Sequence, residues 1–240
     1  MRTTPLASLI TLSLALAAGP ALAQQNVDKV FGGITAESGQ EYGSLESVNG
    51  GITVREGATV RAAETVNGGI SIADRARVGS AETVNGGINV GSQATAGSLE
   101  TVNGGISLSE GAIVERDVET VNGGIRGRKG VQIGGNAETV NGGLNFEGAK
   151  IAGSLTTTNG DITLDDTRVR GGILVEKPSA GWWNSSKSRK PRIVIGPRSV
   201  VGGTLVFERE VELFVHASAK IGAVTGATAQ AYTGKLPPRE

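Results

Sequence analysis

"AETVNGGI" occupies residues 63–70 and returns unchanged at 81–88. Variants stand at 45–52, 99–106, 118–125, 137–144 and 155–162. The asparagines Asn49, Asn67, Asn85, Asn103, Asn122, Asn141 and Asn159 are spaced by 18, 18, 18, 19, 19 and 18 residues. A period this regular marks a repeat architecture in which each unit is one structural layer. Apolar residues recur at fixed offsets, as in Ile70, Ile72, Ala76, Val78, Ala81 and Val84. Short alternating runs of this kind read as strands, three per unit.

"NG" between alternating apolar residues is also the strongest hairpin signal. An antiparallel meander, however, needs two long strands and two turns in each unit, and the repeat has one invariant turn. The pattern predicts an all-β chain folded as a parallel β-helix, a β-solenoid of about 18 residues per coil. Coils then stack about 4.8 Å apart, and equivalent residues lie over one another as columns. Nine or ten coils give a rod of about 45 Å. The column Ile52, Ile70, Ile88, Ile106, Ile125, Leu144, Ile162 is expected to face inward, with the column Val48, Val66, Val84, Val102, Val121, Val140. The asparagines are expected at an inward corner, each amide donating to a carbonyl of the adjacent coil. That is a structural ladder, since an orphaned buried amide is destabilising. The paired glycines are expected to turn the chain with positive φ.

The rest of the 240-residue chain divides around this array. Residues 1–23, MRTTPLASLITLSLALAAGPALA, have a positive start, an apolar stretch and a small-x-small cleavage site, as a secretory signal peptide does. This predicts a periplasmic, cell-surface or secreted protein. Residues 24–43 lack the motif and are expected to cap the first coil, since terminal repeats must close the core. The NGG array runs over 44–176. Residues 177–191, KPSAGWWNSSKSRKP, break the pattern as a basic insertion loop; 192–226 resume it as final coils, and 227–240 read as a flexible tail.

Composition narrows the chemistry. Acidic and basic residues balance at 23 each, which gives no electrostatic pull toward nucleic acid. Thirty-eight glycines and only four Phe, two Tyr and two Trp imply a thin core with many corners. With no cysteine, neither a disulfide nor a thiol nucleophile is available. His216, the one histidine, alternates within a strand and reads as a strand residue more readily than as a catalytic base. Asp161, Asp165 and Asp166 form the densest carboxylate group; a glycosidase pair and a solvated corner both fit it.

The units "ETVNGGI-x-V", with "IVIGP-x-SVVGG-x-L" and "VELFVHASAKIG" after them, resemble two bacterial β-solenoid groups over roughly residues 44–224. These are the bactofilins, right-handed β-helices that form polymers, and the secreted adhesin-type proteins built from short β-strand repeats; the resemblance implies a right-handed solenoid here. The resemblance implies a non-enzymatic structural or adhesin-like envelope protein without a cofactor. An end-to-end polymer-forming scaffold is one alternative, and a carbohydrate-active solenoid enzyme is another. The expected partner is an envelope protein or polysaccharide. Trp182, Trp183, Lys187, Arg189 and Lys190 are candidates for a surface-interaction patch, against the plainer reading that the rings shield a coil edge. Glu64, Glu82, Glu100, Glu119 and Glu138, with Glu46, form a row of like charges. Raised carboxylate pKa values and splayed rotamers would relieve it; a bridging Ca²⁺ is the functional alternative, as hard cations prefer oxygen ligands.

Overall fold

The computed structural model describes residues 25–178 and 189–238. Among them there is no helix, and equivalent strands of successive coils pair in parallel. The chain is a β-solenoid. One face is an 11-stranded sheet, and we number the rungs by its strands. Rungs 1 to 4 are Ile34–Ala36, Ile52–Val54, Ile70–Ile72 and Ile88–Val90. Rungs 5 to 8 are Ile106–Leu108, Ile125–Gly127, Leu144–Glu147 and Ile162–Asp165. Rungs 9 to 11 are Arg192–Ile195, Glu212–His216 and Ala229–Tyr232. The other faces belong to a 17-stranded sheet. Eleven rungs at the parallel spacing make a rod of about 48 Å, slightly longer than the sequence suggests.

The expectation of three strands per coil holds in rungs 5 to 10. In rungs 1 to 4 one nine-residue strand, such as Thr59–Asn67 or Thr95–Asn103, bends across two faces. The spacing of inward residues explains the change. Val60 and Ala63 are separated by two residues, which a strand spans with a smooth bend. Val114 and Val118 are separated by three, and the strand breaks into Ile113–Val114 and Val118–Thr120. The extra corner residue is why Asn103 and Asn122 lie 19 apart instead of 18.

The interior is a set of stacked columns. Ile52, Ile70, Ile88, Ile106, Ile125, Leu144 and Ile162 are buried as expected. The valine column is not: Val48, Val66, Val84, Val102, Val121 and Val140 are only half-buried and face outward. Strand alternation from Ala63 puts Thr65 inside and Val66 outside. The inward column is therefore Ser47, Thr65, Thr83, Thr101, Thr120, Thr139 and Thr157. Threonine is tolerated there because its hydroxyl donates to the first glycine carbonyl of the preceding NGG, as from Thr83 Oγ1 to Gly68 O at 2.8 Å. Thr101 does the same toward Gly86. Every buried side-chain nitrogen and oxygen of the described residues has a partner. Side-chain volumes also compensate between coils: a Cβ on Gly127 would lie 2.6 Å from the Phe146 ring, which fills the space that Gly127 leaves.

The NGG glycines do not adopt positive φ. They are glycines because coils pack backbone to backbone at this corner. A Cβ on Gly104 would sit 2.0 Å from Gly86 O, and one on Gly68 would sit 2.4 Å from Gly50 O. Left-handed residues gather instead at the opposite corner, after rungs 1 to 9: Gly39, Gly57, Arg75, Gln93, Gly111, Gly130, Gly148, Asp166 and Arg198.

The segment before the array is itself a coil. Gln25–Phe31 pairs in parallel with Glu41–Asn49, and Ile34–Ala36 is the first rung. At the other end the expected flexible tail is structured through residue 238. Ala229–Tyr232 pairs with Glu212–His216. Tyr232 is buried with Val194 and Phe214 on the outside of the sheet. Arg192 lies over the Phe214 ring at 4.4 Å and donates to Pro238 O at 2.6 Å.

Candidate functional site

The surface features of this rod are rows, because each outward residue of the repeat stands above its copy. The asparagine row lies outside, not at an inward corner: all seven side chains are exposed. Their amides bond to each other and not to backbone carbonyls. Asn67 Nδ2 donates to Asn49 Oδ1 at 3.0 Å, and the same bond recurs for Asn85, Asn103 and Asn122 at 3.0 Å and for Asn141 and Asn159 at 2.9 Å. The turn before Gly-Gly rotates the asparagine out of strand alternation and sets its amide at the stacking distance. The bottom amide ends on Val30 O at 3.4 Å. The top carbonyl, Asn159 Oδ1, accepts from Arg209 Nη1 at 2.6 Å. Arg209 stands two coils further on, outside the motif, and sequence periodicity did not reveal it.

The glutamate row is in register: Glu46, Glu64, Glu82, Glu100, Glu119 and Glu138 pair rung to rung. All six are half-buried. Burial pushes each carboxyl above its usual range, and the neighbouring carboxylate pushes in the same direction. For Glu46 the charge of Asp28 adds to this ahead of Glu64, and for Glu138 the neighbours are Asp117 and Glu176. The row runs single file. Among the described residues no group of three or more Asp, Glu or His gathers to hold a metal ion.

The DITLDD carboxylates are drawn apart. Asp161 opens rung 8 and accepts from Arg189 Nη2 at 2.7 Å and from the Arg192 amide at 2.8 Å. Asp166 stands at the left-handed corner beyond the strand and accepts from Arg198 Nε at 3.2 Å, which holds its carboxyl below the usual range. Asp161 and Asp165 stand at the two ends of the rung 8 strand, four positions or roughly 13 Å of extended backbone apart. His216 lies on the outer face of rung 10. Its ring meets Tyr232 edge-on at 5.0 Å, and Nδ1 lies 2.8 Å from Ser218 Oγ.

The insertion falls where the NGG corner would stand, between Ile173–Val175 and Arg192–Ile195. Trp182, Trp183 and Lys187 lie outside the described residues. Arg189 and Lys190 are described, and each makes an ion pair back to the solenoid, with Asp161 and with Glu210 at 2.8 Å.

The outer face of rungs 4 to 8 forms an open groove of about 1100 Å³, in which Arg126, Arg128 and Lys129 face Glu110, Glu147 and Asp165. These opposite charges balance. No family model, no curated protein and no solved structure matches this chain.

Proposed function

We propose that the chain is a non-enzymatic structural or adhesin-like rod of the bacterial cell envelope, exported by its N-terminal segment. The observation that carries this reading is the unbroken parallel stack of 11 rungs, whose outer rows repeat the same side chains along the axis. A partner meeting such a rod meets one chemical pattern many times, which suits avidity. Expression of the full chain in a bacterial host, followed by fractionation and incubation of the purified protein with envelope extracts, tests it. The expected result is a processed protein outside the cytoplasm that co-sediments with envelope material without altering it. Retention in the cytoplasm at full length, or turnover of envelope polysaccharide, overturns the reading.

A polymer-forming scaffold is a second reading, supported by the N-terminal edge. Gln25–Phe31 pairs along one side, and Val30 and Phe31 are 60% and 78% exposed. An open strand edge with apolar side chains is a template for pairing. Electron microscopy separates the two readings: filaments lost on Phe31→Lys favour the scaffold, and single short rods remove it.

A further inference from the structure

We propose that a notch on the bent face of rungs 2 to 5 binds a single oxyanion carried by a sugar, a carboxylate or a phosphate monoester. Arg61, Gly79 and Gly97 occupy one column on successive rungs, as the registers of their neighbours require. Neither glycine can carry a side chain, since a Cβ would meet the carbonyl of the coil below, Arg61 O at 2.4 Å and Gly79 O at 2.1 Å, so this column is bare backbone between Arg61 and Arg116. Arg61 stands below it and Arg77 beside it. Arg116, from the extra corner residue of rung 5, reaches back over it, donating to Ser98 Oγ at 3.1 Å and to Gly79 O at 3.4 Å. A Cβ on Gly97 would come within 3.0 Å of Arg116 Nη2, so the guanidinium lies over bare backbone. The resulting cavity is about 330 Å³, at the small end of ligand sites and suited to one sugar residue.

Charge selects the occupant. Arg61, Arg77 and Arg116 enter none of the ion pairs among the described residues. Arg61 feels Glu46 and Glu64 at longer range, and Glu115 lines the rim. Each guanidinium therefore has donors left for an oxyanion, the geometry that Arg recognises best. The glutamate row limits the ligand: Glu82 and Glu100 follow Gly79 and Gly97 by three residues on the same strands. A continuous polyanion laid along the rod would run beside these carboxylates and be repelled. An isolated acidic sugar group enters the notch without meeting them. The surrounding surface also favours a glycan over a lipid face: near the notch, Ile113 is the one exposed large apolar side chain among the described residues, and it is only 37% exposed.

The proposal gives the adhesive reading a ligand class, but binding is measured on purified chain and does not depend on where the protein resides. NMR titration of the full chain, following the Gly79 and Gly97 amides, uses glucuronate, glucose 6-phosphate, glucose and inorganic phosphate as probes. Saturable shifts with an acidic sugar, weaker at higher salt and absent with glucose, are expected; glucuronate and glucose 6-phosphate report which oxyanion is preferred. Arg77→Thr is the clean variant, because Thr59 and Thr95 hold the same position on the adjacent rungs. It and Arg116→Gln should each weaken binding about tenfold, the loss of one charge-assisted hydrogen bond. Arg128→Gln, in the balanced groove, should leave it unchanged. Equal shifts with glucose, no saturable shift with either acidic sugar, or unchanged affinity in Arg77→Thr overturns the proposal. Inorganic phosphate binding as tightly as glucose 6-phosphate overturns the sugar assignment. Association with phosphatidylglycerol vesicles without acidic-sugar binding overturns it in favour of a lipid headgroup.

Discussion

Rungs 1 to 7 and rungs 8 to 11 are held together by different means. Apart from two unlike pairs at the opposite corner, Arg55 with Glu37 and Arg75 with Glu56, the first seven repeat one motif, so its asparagines and glutamates each stand against a copy of themselves. That suits asparagine, whose amide is both donor and acceptor, and it penalises glutamate, which meets a like charge at each step. The last four rungs lose the motif and rely on unlike partners. Arg189 pairs with Asp161, Arg198 with Asp166, Lys190 with Glu210 and Arg192 with Glu212. Phe214, Val194 and Tyr232 form a small buried apolar cluster on the outer face. Repetition is an economical way to extend a stack, and irregular pairing suits its end, where no next coil will arrive to satisfy the last one.

The most damaging change we expect is in the NGG corner. Gly104→Ala pushes a Cβ into the Gly86 carbonyl, and backbone on both sides has little room to yield. A loss of about 3 kcal/mol is expected, in the upper range for overpacking. In rung 9 the equivalent corner is Glu208–Val211 and carries no glycine. Glu210→Ala there removes only an exposed ion pair and should change stability by less than about 1 kcal/mol. Chemical denaturation of both variants compares the two corners directly; equal losses would mean the backbone stack at NGG is looser than described.

The glutamate row comes next. Its carboxyls are raised above their unfolded value, so the folded chain binds these protons more tightly than the unfolded chain does. The row's full benefit is present below the unfolded pKa and is lost as pH rises through the raised folded values. On this account the melting temperature should rise as pH falls from 7 toward 5. Glu82→Gln with Glu100→Gln removes the repulsions 64–82, 82–100 and 100–119. Each is about 0.9 kcal/mol at rung spacing in water-like surroundings, before screening by salt. The double variant should melt higher at pH 7, by an amount that shrinks in salt and at pH 5. A pH-independent gain would point to helpful packing instead of relieved charge. A Ca²⁺-dependent rise in the melting point of the unaltered chain, lost in the double variant, would show cation bridging.

Asparagine truncation should cost less. Asn103→Ala breaks two exposed amide bonds, to Asn85 and from Asn122. About 1 kcal/mol is expected, the scale of one net hydrogen bond, since water can replace part of what is lost. Asn49→Ala, at the row's end, should cost less, because its own donation to Val30 O is long at 3.4 Å. Equal losses would mean that the amides act singly. The smallest effect lies at the left-handed corner. Gln93 holds φ at 58°, where Gly111 stands in the equivalent position of the next coil. Gln93→Gly relieves backbone strain but adds unfolded-state freedom, so a gain of a few tenths to about 1 kcal/mol is expected by calorimetry. A loss would show that Gln93 makes up for its strain through its side chain.

Much of this architecture can be read from spacing alone. The period of Asn49 to Asn159 gives the coil, and the offsets of Ile70, Ile72, Ala76, Val78 and Ala81 give the inward columns. Hydrophobicity misleads at Val84, which is half-buried on the outer side. Thr83 is the buried neighbour, its hydroxyl hidden in a bond to Gly68 that only the adjacent coil can supply. The same limit applies to Gly86 and Gly104, whose reason is a carbonyl 18 residues away and not their own backbone angle. The 19-residue spacing before Asn122 did carry a signal, the added corner residue that brings Arg116 back over Gly97. Arg209, Tyr232 and Phe214 had no such sign, since their partners lie outside the repeat.

The asparagine row has a direction. Each Nδ2 points toward the coil before it, and each Oδ1 toward the coil after it. Seven side-chain amides thus lie head to tail, as peptide groups do along an α-helix, and each polarises the next. Their dipoles sum to a partial positive pole near Asn49 and a partial negative pole at Asn159, where the Arg209 guanidinium sits. A single row of uncharged residues gives the rod electrical polarity. Exchanging Arg209 for a neutral residue would leave that negative pole facing solvent, open to any cation that diffuses past.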